Sequence, residues 1–196
     1  MAPYSDVDLL FLTPYKITPW AETVIETVLY LLWDLKLKVG HSSRTIRDCL
    51  RMGNEDYTIR TAMLEHRFVC GDIGLASELN EKLWKNLFDG TAKEFISAKL
   101  KERENRHKKH GQRYMVEPNI KEGKGGLRDL QSLYWIAKYV YQTQNISDLI
   151  ELNVFRSDEH EQFDKAEEFL WAVRCQMHHL ADRAIEQLSF DLQVEV

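Results

Sequence analysis

The chain has 196 residues, 44% of them hydrophobic and 11% aromatic, with a formal net charge of -5. That length supports one domain or two small ones with a real core, and the acidic balance supplies no field for nucleic acid or an anionic membrane, so neither is expected as a partner. Cys49, Cys70 and Cys175 are odd in number and form no metal-ligand spacing, and no apolar run approaches the roughly 20 residues that cross a bilayer, so a reduced, cytoplasmic location is expected.

Val7 to Leu12 is an apolar run interrupted by Asp8 and closed by Thr13-Pro14, which predicts a buried strand. A domain that opens on an interior strand so close to residue 1 predicts that upstream sequence is missing. Thr18 and Pro19 then cap and open a helix. Its apolar positions Trp20, Val24, Val28 and Leu32, with Ile25 and Leu29 beside them, are expected to pack on a sheet. Leu35, Leu37 and Val39 alternate with Lys36 and Lys38, predicting a second short strand before Gly40, and a further helix starts from Thr45. Beyond about residue 56 strand signals nearly vanish, and helices are predicted over about 57–70, 75–89, 91–111, 126–142 and 157–187. One interruption is Tyr114-Met115-Val116 followed by Glu117 to Gly126, too rich in glycine and proline for helix. The chain therefore reads as α+β and predominantly helical: a small incomplete mixed sheet over 1–56, then a helical bundle over 57–196.

Ser5-Asp6-Val7-Asp8 places two carboxylates at i and i+2, on one face of a strand, while Val7 and Leu9 point to the other. Such a pair can hold Mg²⁺ against a nucleoside triphosphate and position an attacking hydroxyl for in-line displacement. A lone DxD also serves as an acidic strand edge. Its place at the head of an apolar strand, where carboxylates are costly unless a cation compensates, favours function.

His41, Ser42, Ser43 and Arg44 are either donors for a nucleotide's phosphate or base, or a polar turn. In the glycine-rich loop, freed backbone amides with Lys121 and Lys124 cradle phosphate, with Arg128 and Asp129 opening the next helix. Alternatively the glycines permit a tight packing turn, and Arg128 pairs with a nearby acid. The basic run from Lys99 to Arg113, with Arg103, Arg106, Lys108 and Lys109, reads as a solvated helix face. His178 points about 100° away from the face shared by His179 and Asp182, which favours packing and surface over zinc.

The stretch MAPYSDVDLLFL resembles the carboxylate strand of the polymerase-β nucleotidyltransferase superfamily, and closely that of bacterial PII uridylyltransferases. LLWDLKLKVGHSSRT, VEPNIKEGKGGLRDLQ and HHLADRAIEQLSFDLQ resemble further blocks of that family, in its order and spacing. The resemblance implies a partial polymerase-β-like sheet followed by a helical bundle, in an enzyme that transfers UMP from UTP to a tyrosine of the PII protein. It implies Mg²⁺ on Asp6 and Asp8, with Ser5 beside them, and the donors read above, His41, Ser42, Arg44, Lys121, Lys124 and Arg128, are then the expected nucleotide contacts. Asp34 is the positional candidate for a third catalytic carboxylate on a neighbouring strand, or it ends the preceding helix as an exposed residue. The family's glycine-rich turn before the carboxylate strand, and its HD-type and ACT domains, fall outside this sequence. A fragment with weak or no transfer and no uridylyl removal is therefore expected, with some self-association through an unpaired strand edge. Two alternatives stay open: a non-catalytic module binding PII or nucleotide, and a related adenylyltransferase acting on glutamine synthetase.

Overall fold

The computed structural model describes residues 2–110, 115–143, 146–152, 154 and 156–196. Arg113, at the end of the basic run, and Tyr114, at the head of the loop, lie outside the described residues. The chain divides into two compact units, a front one over Ser5–Thr91 and a second one formed by residues 2–4 with Ala92–Val196.

In the front unit, β1 (Val7–Thr13) and β2 (Val39–Thr45) pair in parallel, Val7 opposite Val39 and Thr13 opposite Thr45, with α1 (Pro19–Asp34) as the crossover. A parallel pair needs such a crossover because a tight turn cannot reverse the chain twice. β1 lies where the apolar run placed it, but it is not buried: its residues are half-buried or exposed. With one neighbouring strand, its other edge is open among the described residues, and the sheet is not the mixed one expected.

The second strand is displaced from its expected position. Instead of turning into strand at Leu35, α1 runs through Asp34 and closes with Lys36 in the left-handed region (φ 63°), the Leu35 and Leu37 amides donating to the Leu31 and Leu32 carbonyls. Leu35 and Leu37 thus belong to a helix-closing turn. The polar segment Val39–Thr45 becomes the strand because pairing with β1 satisfies its backbone, which outweighs weak intrinsic propensity.

The start of α1 follows its sequence signals, since the Thr18 hydroxyl accepts from the Ala21 amide at 3.2 Å and Pro19 holds the first position. Its buried face is narrower than expected. Ile25 and Leu29 are buried, whereas Trp20 is 76% exposed and Val24, Val28, Leu31 and Leu35 are exposed as well. At about 100° per residue those five fall within roughly 80° of one another, an apolar stripe beside the buried one.

α2 (Ile46–Glu55), α3 (Tyr57–Leu64) and α4 (Ile73–Leu83), the last continued by a π-helical turn over Trp84–Phe88, complete the front unit. Thr45 and Asp48 form a capping box at the start of α2, and Asp56 caps α3 by accepting from the Thr58 and Ile59 amides. Ile46, Cys49, Met63, Leu64, Leu79, Leu83, Leu87 and Phe88 are its buried apolar residues beyond α1. The boundary expected near residue 56 falls inside this unit, between α2 and α3, which pack on each other.

The second unit holds α5 (Ala92–His110), α6 (Leu127–Tyr141), α7 (Ile146–Glu151), α8 (Ser157–Ala181) and α9 (Phe190–Glu195). α5 and α6 run antiparallel: Phe95 stacks on Tyr139 at 4.0 Å, Lys99 lies over Trp135 at 5.0 Å, and Arg106 and His107 meet Asp129. The basic run is therefore not simply a solvated face. Lys108 and Lys109 are exposed, but Lys99 and Arg106 are buried, because Glu102 and Asp129 supply counter-charges. The helix expected over 157–187 ends at Ala181, with Asp182 left-handed at φ 51°. Beyond it the chain leaves the helix to pair with the glycine-rich loop, through a bridge between Asn119 and Gln187. No helix among the described residues is long and apolar enough to cross a membrane.

Candidate functional site

The carboxylate pair stands at the head of β1. Asp6 immediately precedes the strand and Asp8 is its second residue; both are exposed. Neither makes a hydrogen bond or ion pair among the described residues. The Val7 amide donates to the Lys38 carbonyl at 2.8 Å, anchoring this end of β1, and the register sets Asp8 beside Gly40.

Strand alternation sorts the donors that the sequence groups together. Ser42 and Arg44 share the face of Asp8, since they pair with Leu10 and Leu12, whereas His41 and Ser43 pair with Leu9 and Phe11 on the opposite face. Arg44 is four residues beyond the rung of Asp8, roughly 13 Å at strand rise, too far to neutralise that carboxylate. Beside Asp6, the Ser5 hydroxyl is buried with no hydrogen-bond partner.

Asp34 is the last residue of α1 and exposed. The strand parity that made it a third carboxylate does not form, because neither Lys36 nor Lys38 lies in a strand. Among the described residues no group of three His, Cys, Asp or Glu side chains converges as a metal site. Two free carboxylates and an orphaned hydroxyl are hard oxygen donors, which suits Mg²⁺, an ion commonly held by one or two carboxylates together with substrate phosphates.

The second unit places Lys121, Lys124 and Arg128 in and after the glycine-rich loop, whose backbone amides from Ile120 on, that of Lys124 excepted, are engaged. Asn119 Oδ1 accepts from the Lys121 and Glu122 amides, and the Asn119 carbonyl from Gly123. Gly126, Leu127 and Arg128 donate to the carbonyls of Gly123, Ile120 and Lys121, and Gly125 donates to the Asp129 carboxylate at 2.8 Å. Those engaged amides leave that of Lys124 to a ligand, which favours the packing-turn alternative for the loop backbone. The glycines answer a packing need instead: a Cβ on Gly126 would lie 2.5 Å from the Ile120 carbonyl oxygen, one on Gly123 would strike the Asn119 carbonyl, and Gly125 is left-handed.

Charges around the loop are paired as well. Arg128 lies 3.5 Å from Glu122 and over the Trp135 ring, the pairing with a nearby acid that the packing-turn reading expects. Asp129 accepts from Arg106 Nη2 at 2.5 Å and lies 2.9 Å from His107 Nε2. Burial pushes the Asp129 carboxyl up, but the Gly125 amide, His107 and Arg106 outweigh it and hold it below the ordinary value. On its other side the loop is tied to the segment after α8: the Ile120 amide donates to the Glu186 carbonyl, and the Leu188 amide to the Pro118 carbonyl. Glu186 in turn accepts from Arg174 Nε and Nη2 at 2.8 and 2.6 Å. Lys121 and Lys124 remain without ion pairs among the described residues.

Sequence reasoning did not single out His107 or Glu186, took Gly40 only as the end of a strand, and read Arg106 as part of a solvated helix face. The only available signal was Asp129 at the start of a helix behind a basic helix, a spacing that calls for counter-charges.

Comparison with known proteins gives a consistent result. Residues 94–196 match the family described as GlnD PII-uridylyltransferase. A bifunctional uridylyltransferase/uridylyl-removing enzyme of Ruegeria pomeroyi is 65% identical over the whole of this chain, which spans 22% of that relative. Proteins of the same name from Cereibacter sphaeroides and Rhodopseudomonas palustris are 66% and 55% identical, each over the whole chain and 21% of its own length. The chain thus spans about a fifth of the length of the curated relatives it matches. No solved structure matches it.

Proposed function

Because the chain belongs to the GlnD PII-uridylyltransferase family, we propose that it is part of an enzyme that moves UMP from UTP onto a tyrosine of the PII signalling protein, with Asp6 and Asp8 as the metal-binding carboxylates. The observation that carries this reading is the free carboxylate pair at the head of β1. Both carboxylates are exposed and stand two residues apart, so both can reach one ion from the same face.

Mg²⁺ bound there supplies charge neutralisation on the phosphates and alignment of the attacking oxygen with the leaving group. Asp6, just ahead of β1, and Asp8, its second residue, would hold it. Ser42 and Arg44 would meet nucleotide phosphate further along the sheet, a reading that their register on the face of Asp8 supports. His41, on the other face, is left a role away from the metal. Lys121 and Lys124 take part through their side chains only. With two carboxylates and no converging third acid among the described residues, transfer by this chain alone is expected to be weak.

Calorimetric titration of the chain with UTP and with ATP, with and without Mg²⁺, tests the reading. Binding that needs Mg²⁺, favours UTP and disappears in Asp6→Ala and Asp8→Ala is the expected result. Binding that survives both substitutions removes the carboxylates from the site, and a preference for ATP points to adenylyl transfer instead.

A further inference from the structure

One close approach at the strand pair is unexplained by pairing alone. Asp8 and Gly40 are register partners, and a Cβ built on Gly40 would lie 2.6 Å from Asp8 Oδ1. Ordinary carbon–oxygen contacts begin near 3.3 Å, so the space a side chain needs at position 40 is already taken by the carboxylate. Nothing else at this position demands glycine. Gly40 is not among the glycines with positive φ, it is exposed, and no other residue lies within 4 Å of the added carbon.

We propose that Gly40 is a positioning residue for Asp8: the missing side chain on β2 gives the Asp8 carboxylate a place to lie across the neighbouring strand, holding it in the direction a metal ligand needs. This inference rests on the reading of Asp8 as a ligand. An aspartate on an exposed strand otherwise chooses among staggered rotamers that aim its oxygens in different directions. A metal held by two carboxylates requires both to stay within about 0.5 Å of one geometry. Alanine at position 40 meets only the far end of a two-torsion side chain, which rotates away at little cost. Its effect therefore falls on carboxylate direction and not on the fold.

Mn²⁺ binding to the full 196-residue chain, followed by water-proton relaxation, is the test, with melting temperature read in parallel. The expected result is that Asp8→Ala abolishes binding, while Gly40→Ala weakens it by about tenfold to a hundredfold, the range for residues that orient a ligand, with the melting temperature unchanged. If Asp8→Ala abolishes binding and Gly40→Ala binds as the parent does, the positioning role is overturned and the ligand reading stands. If the parent does not bind Mn²⁺, or Asp8→Ala binds it undiminished, the ligand reading falls and this inference with it. Should Gly40→Ala melt early, the double variant Gly40→Ala/Asp8→Ala decides. Recovery to the melting temperature of Asp8→Ala supports a collision with the carboxylate, and no recovery places the need for glycine in the backbone and overturns the proposal.

Discussion

In the front unit Asp6, Asp8 and Arg44 stand at the strand pair with no ion-pair partner among the described residues, whereas in the second unit Arg106, Asp129, Arg174 and Glu186 are all engaged at 2.5–2.8 Å. Apolar side chains are exposed in both units, but individual helix faces differ. α1 leaves Trp20, Leu31 and Leu35 in solvent, while α5 and α6 bury Phe95, Leu127, Trp135 and Tyr139. The most distinctive sequence block, the glycine-rich loop, sits in the second unit and spends most of its backbone amides on its own turn. The plainer DxD sits where groups are left free. The distinctive loop thus answers a packing need, while the plainer carboxylate pair is the one left without protein partners among the described residues.

The sharpest way to break this contrast is to remove one charge from each unit. Asp129→Ala leaves the buried Arg106 guanidinium only the longer pair to Glu122 at 3.7 Å and is expected to cost up to about 3–5 kcal/mol in urea unfolding, whereas exposed Asp8→Ala is expected to change stability by less than about 0.5 kcal/mol. Equal losses would erase the distinction. Gly126→Ala comes next at about 1–3 kcal/mol, because its methyl would press on the Ile120 carbonyl; a neutral outcome would reopen the loop as a flexible phosphate site.

The third effect is a pH slope. Burial drives the His178 pKa below its ordinary value, Glu186 opposing. The unfolded imidazole, with a pKa of about 6.5, then takes up a proton that the folded one resists. Stability is full above that value and declines as pH falls below it. Urea midpoints between about pH 7 and 5 should show the decline, and His178→Gln should flatten it. A smaller effect still concerns the exposed stripe and the open edge of β1. Sedimentation is expected to show association that grows with concentration, which Leu31→Glu reduces; a monomer at every concentration would mean that the stripe and the open edge are tolerated in water. At the bottom of the scale, Lys124→Ala should leave the melting curve within about 0.5 kcal/mol of the parent.

Much of the front unit is legible because its signals are local. Thr18 and Pro19 announce α1, the apolar run announces β1, and Thr45 starts α2 as the sequence indicates. β2 is not legible, because nothing in His41-Ser42-Ser43-Arg44 asks for a strand until β1 offers it partners. The alternation of Leu35 and Leu37 with lysines misleads for a related reason: a helix-closing turn with one left-handed residue has the same spacing. α7 and α9, six residues each, carry too few turns to show a period. At the candidate site Asp6 and Asp8 are readable from spacing. The inward direction of the loop amides is not, since it depends on where Asn119, Asp129 and Glu186 lie in space.

The tie between the loop and the segment after α8 has a consequence for how the chain is made. Gln187 donates to the Glu117 carbonyl across a separation of 70 residues. At a synthesis rate of about 5–20 residues per second, the loop waits roughly 4 to 14 seconds on the ribosome for the residues that close it. The front unit, whose partners all lie before Ala92, has no such delay. A nascent chain halted before Glu186 therefore carries all of Ser5–Thr91 and an open second unit.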